Sequence, residues 1–340
     1  MNGDLAEHRR TAVYRLDEVI ADVDTRLREH RAVDARSVPT GFDVLDDMLG
    51  GGLHTGELVL LGGPPGVGKT IAALQWARNV ARAGGTALFV CYEHEPFTLL
   101  TRLLALEAGA SGGDHTLART MAEAMAHGEQ QNLSLEELVA TTPAGIEALE
   151  AIRSYADRLV LVRASGAHTT LAELDRLLTE NQSQQASTVM FVDYLQKIPV
   201  EPEPPTEAEK VTRTVEALKD LALDHSVPIV LLSAVDAEGM RSSRLRMYHL
   251  RGSSAIAFES DVVLMLNDKE KAVSKIHLTY DPVRARGFKD WVVFSVEKNR
   301  GGPNLVELEF RKDFVHFRFE PEGGIVTEKL VTERMDEATL

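Results

Sequence analysis

Apolar residues along this chain gather in short runs at 57–62, 86–92, 158–164, 188–194, 228–235 and 261–267. Between them lie stretches such as "TEAEKVTRTVEALKDLALDHS", whose apolar positions recur every three or four residues. Short apolar runs bounded by turns predict buried strands, and the 3.6-residue period predicts helices laid across them. Regular alternation of the two predicts an α/β fold, a mostly parallel sheet with helices on both faces. Past residue 270 the rhythm changes. "KIHLTYD", "DWVVFSVEKN" and "LVELEFRKDFVHFRFEP" follow one another with only turns between, which predicts an antiparallel C-terminal extension of the same sheet.

The remaining segments sort by the same pattern. "SGGDHTLARTMAEAMAHGEQQNLSLEELVATTPAGIEALEAIRSYADRL" predicts several short helices inserted between two strands. "IPVEPEPPTEAEK" carries four prolines and several acids, which predicts a solvent-facing loop. Near the start, Val13, Leu16, Ile20, Val23 and Leu27 fall on one face of a helix. That face needs a partner, either its own domain or another chain. The expected division is an N-terminal amphipathic linker helix in 1–35, one α/β domain over 36–320 and an acidic tail over 321–340 whose "MDEATL" end is frayed.

Composition narrows the class. With 340 residues, 44% of them apolar, the chain can fill the core of one large α/β domain or two smaller ones. No apolar run has the length of a signal peptide or a membrane span, so a soluble, cytoplasmic protein with no membrane partner is expected. Cys91 is the only cysteine, which excludes an intrachain disulfide and a thiolate zinc cluster. A net charge of −15 excludes a generally basic nucleic-acid coat but leaves room for a local basic channel.

The candidate chemistry begins at "LVLLGGPPGVGKT", where Gly63, Gly68, Lys69 and Thr70 complete G-x-x-x-x-G-K-[ST] between a strand-like run and a helical one. Glycines let backbone N–H groups turn toward phosphate oxygens, and the following helix N-terminus adds partial positive charge. Gly63, Pro64, Pro65, Gly66, Val67, Gly68, Lys69, Thr70 and Ile71 are therefore the candidate nucleotide-binding residues. Lys69 is placed to neutralise the terminal phosphates of ATP and Thr70 to hold Mg²⁺. "TVMFVDYLQKI" ends its apolar run in Asp193, where a second parallel strand would deliver a carboxylate beside the magnesium; otherwise it is the cap or turn residue that often ends a strand. "TALFVCYEHEP" ends in Glu93, His94 and Glu95. Either a carboxylate there polarises the attacking water, or these are the polar residues that follow any strand.

Taken in order, "VPTGFDVLDDMLGGGLHTGELVLLGGPPGVGKT", "FVCYEHEPFTLLTRLLALEAG", "VMFVDYLQKI", "VPIVLLSAV", "LRGSSAIAFESDVVLML" and "VEKNRGGPNLVELEF" resemble the RecA-like motor domain of DnaB-like replicative helicases over residues 36–320, and more distantly KaiC- and RecA-type ATPases. The resemblance implies a RecA-like P-loop fold, Glu93 as the catalytic glutamate and Asp193 as the magnesium aspartate. It implies that Lys298 and Arg300 enter the ATP site of a neighbouring subunit, in a homo-oligomer that is a hexameric ring or a filament. It also implies that the N-terminal helix packs on an adjacent subunit. Chemically, a cation supplied across an interface makes hydrolysis depend on assembly; otherwise the two are solubilising charges on a turn.

Two departures qualify the match. The family usually carries a glutamine after the strand serine, which senses the γ-phosphate; this chain reads "LLSAVDA", with Ala234 there. Only about 35 residues precede the motor, so the collar domain of replicative helicases is not expected. Arg241, Arg244, Arg246 and Arg251, in "EGMRSSRLRMYHLRG", are candidate contacts to single-stranded DNA, or else mobile surface arginines. Three functions remain in view: an accessory, phage or mobile-element DNA helicase or translocase, a KaiC-like or recombination-type regulatory ATPase, and an ATP-binding scaffold with little turnover.

Overall fold

A computed structural model of the chain describes residues 15–28, 37–126, 133–183, 186–252, 254–273 and 282–331. Twelve strands appear among them: β1 Ser37–Val38, β2 Leu53–His54, β3 Leu58–Gly62, β4 Thr86–Cys91, β5 Leu159–Arg163, β6 Thr188–Asp193, β7 Ile229–Ser233, β8 Val262–Asp268, β9 Trp291–Asn299, β10 Val306–Asp313, β11 Arg318–Phe319 and β12 Gly324–Ile325. The helices are α1 Leu16–Arg28, α2 Asp43–Met48, α3 Lys69–Arg82, α4 Pro96–Ala110, α5 Thr116–Ala126, α6 Leu135–Val139, α7 Gly145–Arg153, α8 Leu171–Asn181, α9 Glu207–Asp224, α10 Ala255–Glu259 and α11 Lys269–Ala272, with one further turn of helix at Pro282–Ala285.

Ten strands form one sheet in the order β11-β10-β9-β8-β3-β7-β6-β4-β5, with β12 also on β10. The pairs β3–β7, β3–β8, β6–β7, β4–β6 and β4–β5 are parallel, while β8–β9, β9–β10, β10–β11 and β10–β12 are antiparallel. This is the expected mixed sheet. The apolar runs in β3, β6 and β7 are uninterrupted because both faces are covered, and every residue of those strands is buried. On one face Phe89, Phe191, Phe294 and Phe310 pack with Trp76 of α3 and with α4 and α7; on the other Leu58, Leu60, Met190 and Val192 pack with Leu218 of α9 and with α8. Each such side chain contributes about 1.5–3 kcal/mol on burial.

Register positions the site. Gly62 of β3 pairs with Ser233 of β7, and Cys91 of β4 pairs with Asp193 of β6. The carboxyl ends of the parallel strands therefore come out level, and in open α/β sheets that edge is where ligands bind.

Several expectations meet the structure segment by segment. The inserted helices are α5, α6 and α7, and α6 begins with a capping box between Ser134 and Glu137. The proline-rich stretch carries no regular structure until α9, where the Thr206 side chain accepts from the Glu209 N–H. "KIHLTYD" and "MDEATL" lie outside the described residues. The boundary expected at 320 falls within packed structure. β12 pairs with β10, and Glu328 is buried with one oxygen 2.9 Å from Lys269 Nζ. In α1, Leu16, Ile20 and Leu27 are 74%, 61% and 61% exposed, and Val23 is half-buried. Val13 lies outside the described residues. No helix among the described residues is long and apolar enough to cross a membrane.

Candidate nucleotide-binding and hydrolysis site

The loop between β3 and α3 sets the site. Gly66 and Gly68 take φ of +80° and +106°, a region that side chains with a Cβ rarely adopt. At Gly68 a Cβ would also strike the rings of Phe319 and Phe314 at 2.6 and 2.8 Å. Glycine is thus required twice at position 68, by backbone conformation and by the aromatic wall behind it. α3 starts at Lys69, so the N–H groups of its first turn have no acceptors within the helix and face the loop. This is an anion cradle.

Around it lies a cavity of about 330 Å³ lined by Pro65, Gly66, Gly68, Lys69, Thr70 and Ile71, and on the far side by Glu93, His94, Arg102, Asp193, Tyr194, Ala234 and Phe317. Lys69 Nζ donates to the carbonyls of Gly63 and Pro64 at 2.7 and 3.0 Å. Thr70 Oγ1 donates to Asp193 Oδ2 at 2.7 Å, joining the first helical turn to the end of β6. Burial pushes the Asp193 carboxyl up to about 6, the Thr70 hydrogen bond opposes this, and the Glu93 charge adds to it. Burial lowers Lys69, against the pull of Asp193 and Glu93.

These residues fit a hydrated magnesium ion carried by a nucleotide. Thr70 and Asp193 offer hard oxygen donors, and among the described residues the charges of Lys69 and Arg102 offset the burial of that carboxylate only in part. No group of three or more His, Cys, Asp or Glu among the described residues could hold a metal unaided, so phosphates and water would have to complete the shell.

The structure separates Glu93 from Glu95. Glu95 is paired with Arg163 at 2.6 Å, whereas Glu93 lines the cavity. Two lining residues carried no recognised motif. Arg102 projects from α4, its guanidinium 5.4 Å from the ring centre of Phe317; burial lowers its pKa while Asp193 opposes the shift. It is the one cation within the apolar helical run "FTLLTRLLALEA", a signal available in the sequence. Phe317 sits at φ +49° where the chain turns from β10 to β11.

Lys298 and Arg300 stand at the end of β9, on the far side of β8 from β3. Lys298 Nζ donates to the carbonyls of Ala257, Phe258 and Ser260 at 2.7, 3.1 and 2.6 Å, closing the C-terminus of α10. Burial and the neighbouring Arg300 lower its pKa. Arg300 donates to the Phe258 carbonyl at 2.6 Å and to Asp261 Oδ1 at 3.0 Å. Neither residue lines the cavity around the P-loop.

The four arginines of 241–251 divide. Arg244 is turned inward, ion-paired with Glu307 and donating to the Val331 carbonyl at 3.2 Å. Arg246 lies 2.9 Å from Glu297, and Arg251 is exposed 2.9 Å from Glu207. Arg241 is exposed. Arg241 and Arg251 thus stand at the surface, while β10 and β9 supply carboxylates to Arg244 and Arg246 and α9 supplies one to Arg251.

Sheet order, P-loop and strand-end carboxylates define a RecA-like P-loop nucleotide site. Residues 37–319 match the family described as DnaB-like helicase C terminal domain, and the chain belongs to that family. It is 28% identical to the replicative DNA helicase DnaB of Treponema pallidum over 324 residues, 92% of this chain and 64% of that protein. It is 26% identical to a probable plasmid replicative DNA helicase of Chlamydia psittaci, over 74% of this chain and 52% of that protein. The chain spans about six tenths of the first curated relatives, between 57% and 64% of their length. Among solved structures, one of an ATPase domain superposes with a TM-score of 0.67 at 18% identity, over 91% of this chain and 99% of that one. A DnaB-like replicative helicase solved with its interactions with primase superposes at 0.65 and 19% identity, over 90% and 68%.

Proposed function

We propose that this chain hydrolyses ATP as the motor part of a DnaB-like oligomer that moves along or unwinds single-stranded DNA. The observation that carries the reading is the junction of the glycine cradle with Thr70 and Asp193, beside a Glu93 that the neighbouring ion pair leaves available. Magnesium held by Thr70 and Asp193 would supply charge neutralisation at the phosphates. Lys69 leaves its loop carbonyls to meet the terminal phosphates, and Glu93 accepts the proton of the attacking water. Lys298 and Arg300, absent from their own subunit's cavity, serve a neighbour's site, where a guanidinium stabilises charge spreading over the transferred phosphoryl group. The exposed apolar face of α1 fits the same assembly as a surface for an adjacent subunit.

Turnover measured with and without single-stranded DNA tests this. Stimulation that disappears in Lys69→Ala supports a DNA-dependent motor. No stimulation and no DNA binding at low salt, with ATP and Mg²⁺ present, selects the regulatory RecA-type ATPase, a reading favoured by Ala234 and by the internal pairing of Arg244 and Arg246.

A further inference from the structure

Ala234 removes the glutamine that DnaB-like motors usually carry after the β7 serine, yet another glutamine lies against that position. Gln196 sits in the 3₁₀ turn Leu195–Lys197, three residues beyond Asp193. Its Nε2 donates to the Ser233 hydroxyl at 3.0 Å and to the Arg251 carbonyl at 2.9 Å. Its Oε1 accepts from the Ala234 N–H at 3.4 Å. A carbonyl can only accept and a peptide N–H can only donate, so these partners determine which way the amide faces.

The partners belong to two structures. Ser233 ends β7, and Ala234, the next residue, lines the nucleotide cavity. Arg251 closes the arginine-bearing loop, which leaves and rejoins the sheet at one point: Val235 bridges Leu250 antiparallel, and the Arg251 N–H donates to the Ala234 carbonyl at 3.0 Å. Leu250 in turn lies so close to Gly62, at the mouth of the P-loop, that a Cβ there would meet its Cδ2 at 2.6 Å. The root of the loop is wedged among the strand ends that form the nucleotide site.

α9 ties the unit together from outside. Lys210 Nζ donates to the Gln196 carbonyl at 3.2 Å, and Glu207 holds the Arg251 guanidinium at 2.9 Å. The turn after Asp193, the end of β7, the loop root and the first turn of α9 therefore share one hydrogen-bonded circuit through Gln196. Displacing the end of β6 must either carry the loop root along or break those bonds.

We propose that Gln196 is a positioning residue that transmits the state of the nucleotide site to the 236–250 loop, from the β6 side instead of the γ-phosphate side. The proposal rests on the reading of the site as an ATPase that answers to DNA. Such couplings are commonly about 5- to 150-fold in affinity.

Gln196→Met keeps the approximate volume and removes every amide hydrogen bond. Gln196→Glu provides a second variant that keeps acceptors for Ala234 and Ser233 but cannot donate to the Arg251 carbonyl. Two readouts are compared with the unsubstituted protein: the rate of tryptic cleavage at Arg241 with ADP and with a non-hydrolysable ATP analogue, without DNA, and the stimulation of turnover by single-stranded DNA. The expected result is nucleotide-dependent cleavage in the unsubstituted protein that vanishes in both variants, unstimulated turnover retained, and a stimulation ratio reduced to about one. Variants that keep both responses overturn the proposal, as do variants that lose turnover and thermal midpoint together at an unchanged ratio, which marks a merely structural glutamine. Cleavage in the unsubstituted protein that ignores the nucleotide overturns it as well. If cleavage follows the nucleotide through Gln196 while DNA stimulates nothing, the relay stands and the DNA reading of the loop fails.

Discussion

Asp193→Asn isolates the electrostatic cost of the site. The substitution keeps the side chain's shape and an oxygen that can accept from Thr70 Oγ1, but removes a charge that is 2% exposed. In the folded protein the carboxyl holds its proton up to about 6, against an ordinary value of 3.8. Between those values the folded state binds more protons than the unfolded one, so stability falls as pH rises through the window, and the full cost is present above about 6. The interval from 3.8 to about 6 corresponds to about 3 kcal/mol. Without nucleotide or metal, Asp193→Asn is thus expected to match the unsubstituted protein near pH 4 and to exceed it by about 3 kcal/mol near pH 7. Urea denaturation of both proteins across that range measures the difference. Parallel stability profiles, with no gain for the variant on going to neutral pH, would show that Asp193 is not an uncompensated buried charge. With ATP and magnesium the variant is expected to turn over more slowly than the unsubstituted protein, measured by phosphate release, because it lacks the carboxylate proposed to hold the metal.

Other consequences concern the reaction itself. Lys69→Ala is expected to abolish nucleotide binding in an equilibrium titration, because it removes the cradle's own lysine; retained affinity would refute the phosphate assignment. Glu93→Gln is expected to bind ATP normally and to hydrolyse it about 10² times more slowly, while Glu95→Gln mainly frees Arg163; a dead Glu95 variant beside an active Glu93 variant would transfer the role. Arg300→Ala subunits are expected to bind ATP yet turn over poorly, and to recover activity when mixed with Lys69→Ala subunits. Once subunit exchange is established, activity no greater than the sum of the two would mean that Arg300 acts within its own subunit or merely decorates the turn.

The strands were legible because the doubly covered β3, β6 and β7 have no polar interruption, and the P-loop because its chemistry occupies eight consecutive residues. Asp193 was legible as a strand end and Glu93 as a polar residue just past one. What stayed hidden comes from elements far apart in sequence: Arg102 from α4 and Phe317 from the β10–β11 turn reach the cavity only when the sheet forms. Spacing alone could not show that Arg244 turns toward Glu307, since that carboxylate lies 63 residues away on β10. Nor could it show that Lys298 is surrounded by the carbonyls of a short helix some 40 residues earlier.

The burial of Lys269 bears on where this chain can be cut or extended. Its ammonium lies between Glu309 and Glu328 with Phe288 4.7 Å away, and its side chain is only 3% exposed. Leu330 bridges Val273 immediately beside it. A truncation placed before Glu328 would leave that lysine with one carboxylate where it now has two, and a fusion joined there would have to start from inside the protein. Affinity tags, fluorophores and crystallisation fragments are therefore better attached beyond Val331, where the bridge and the Glu328 pair are retained.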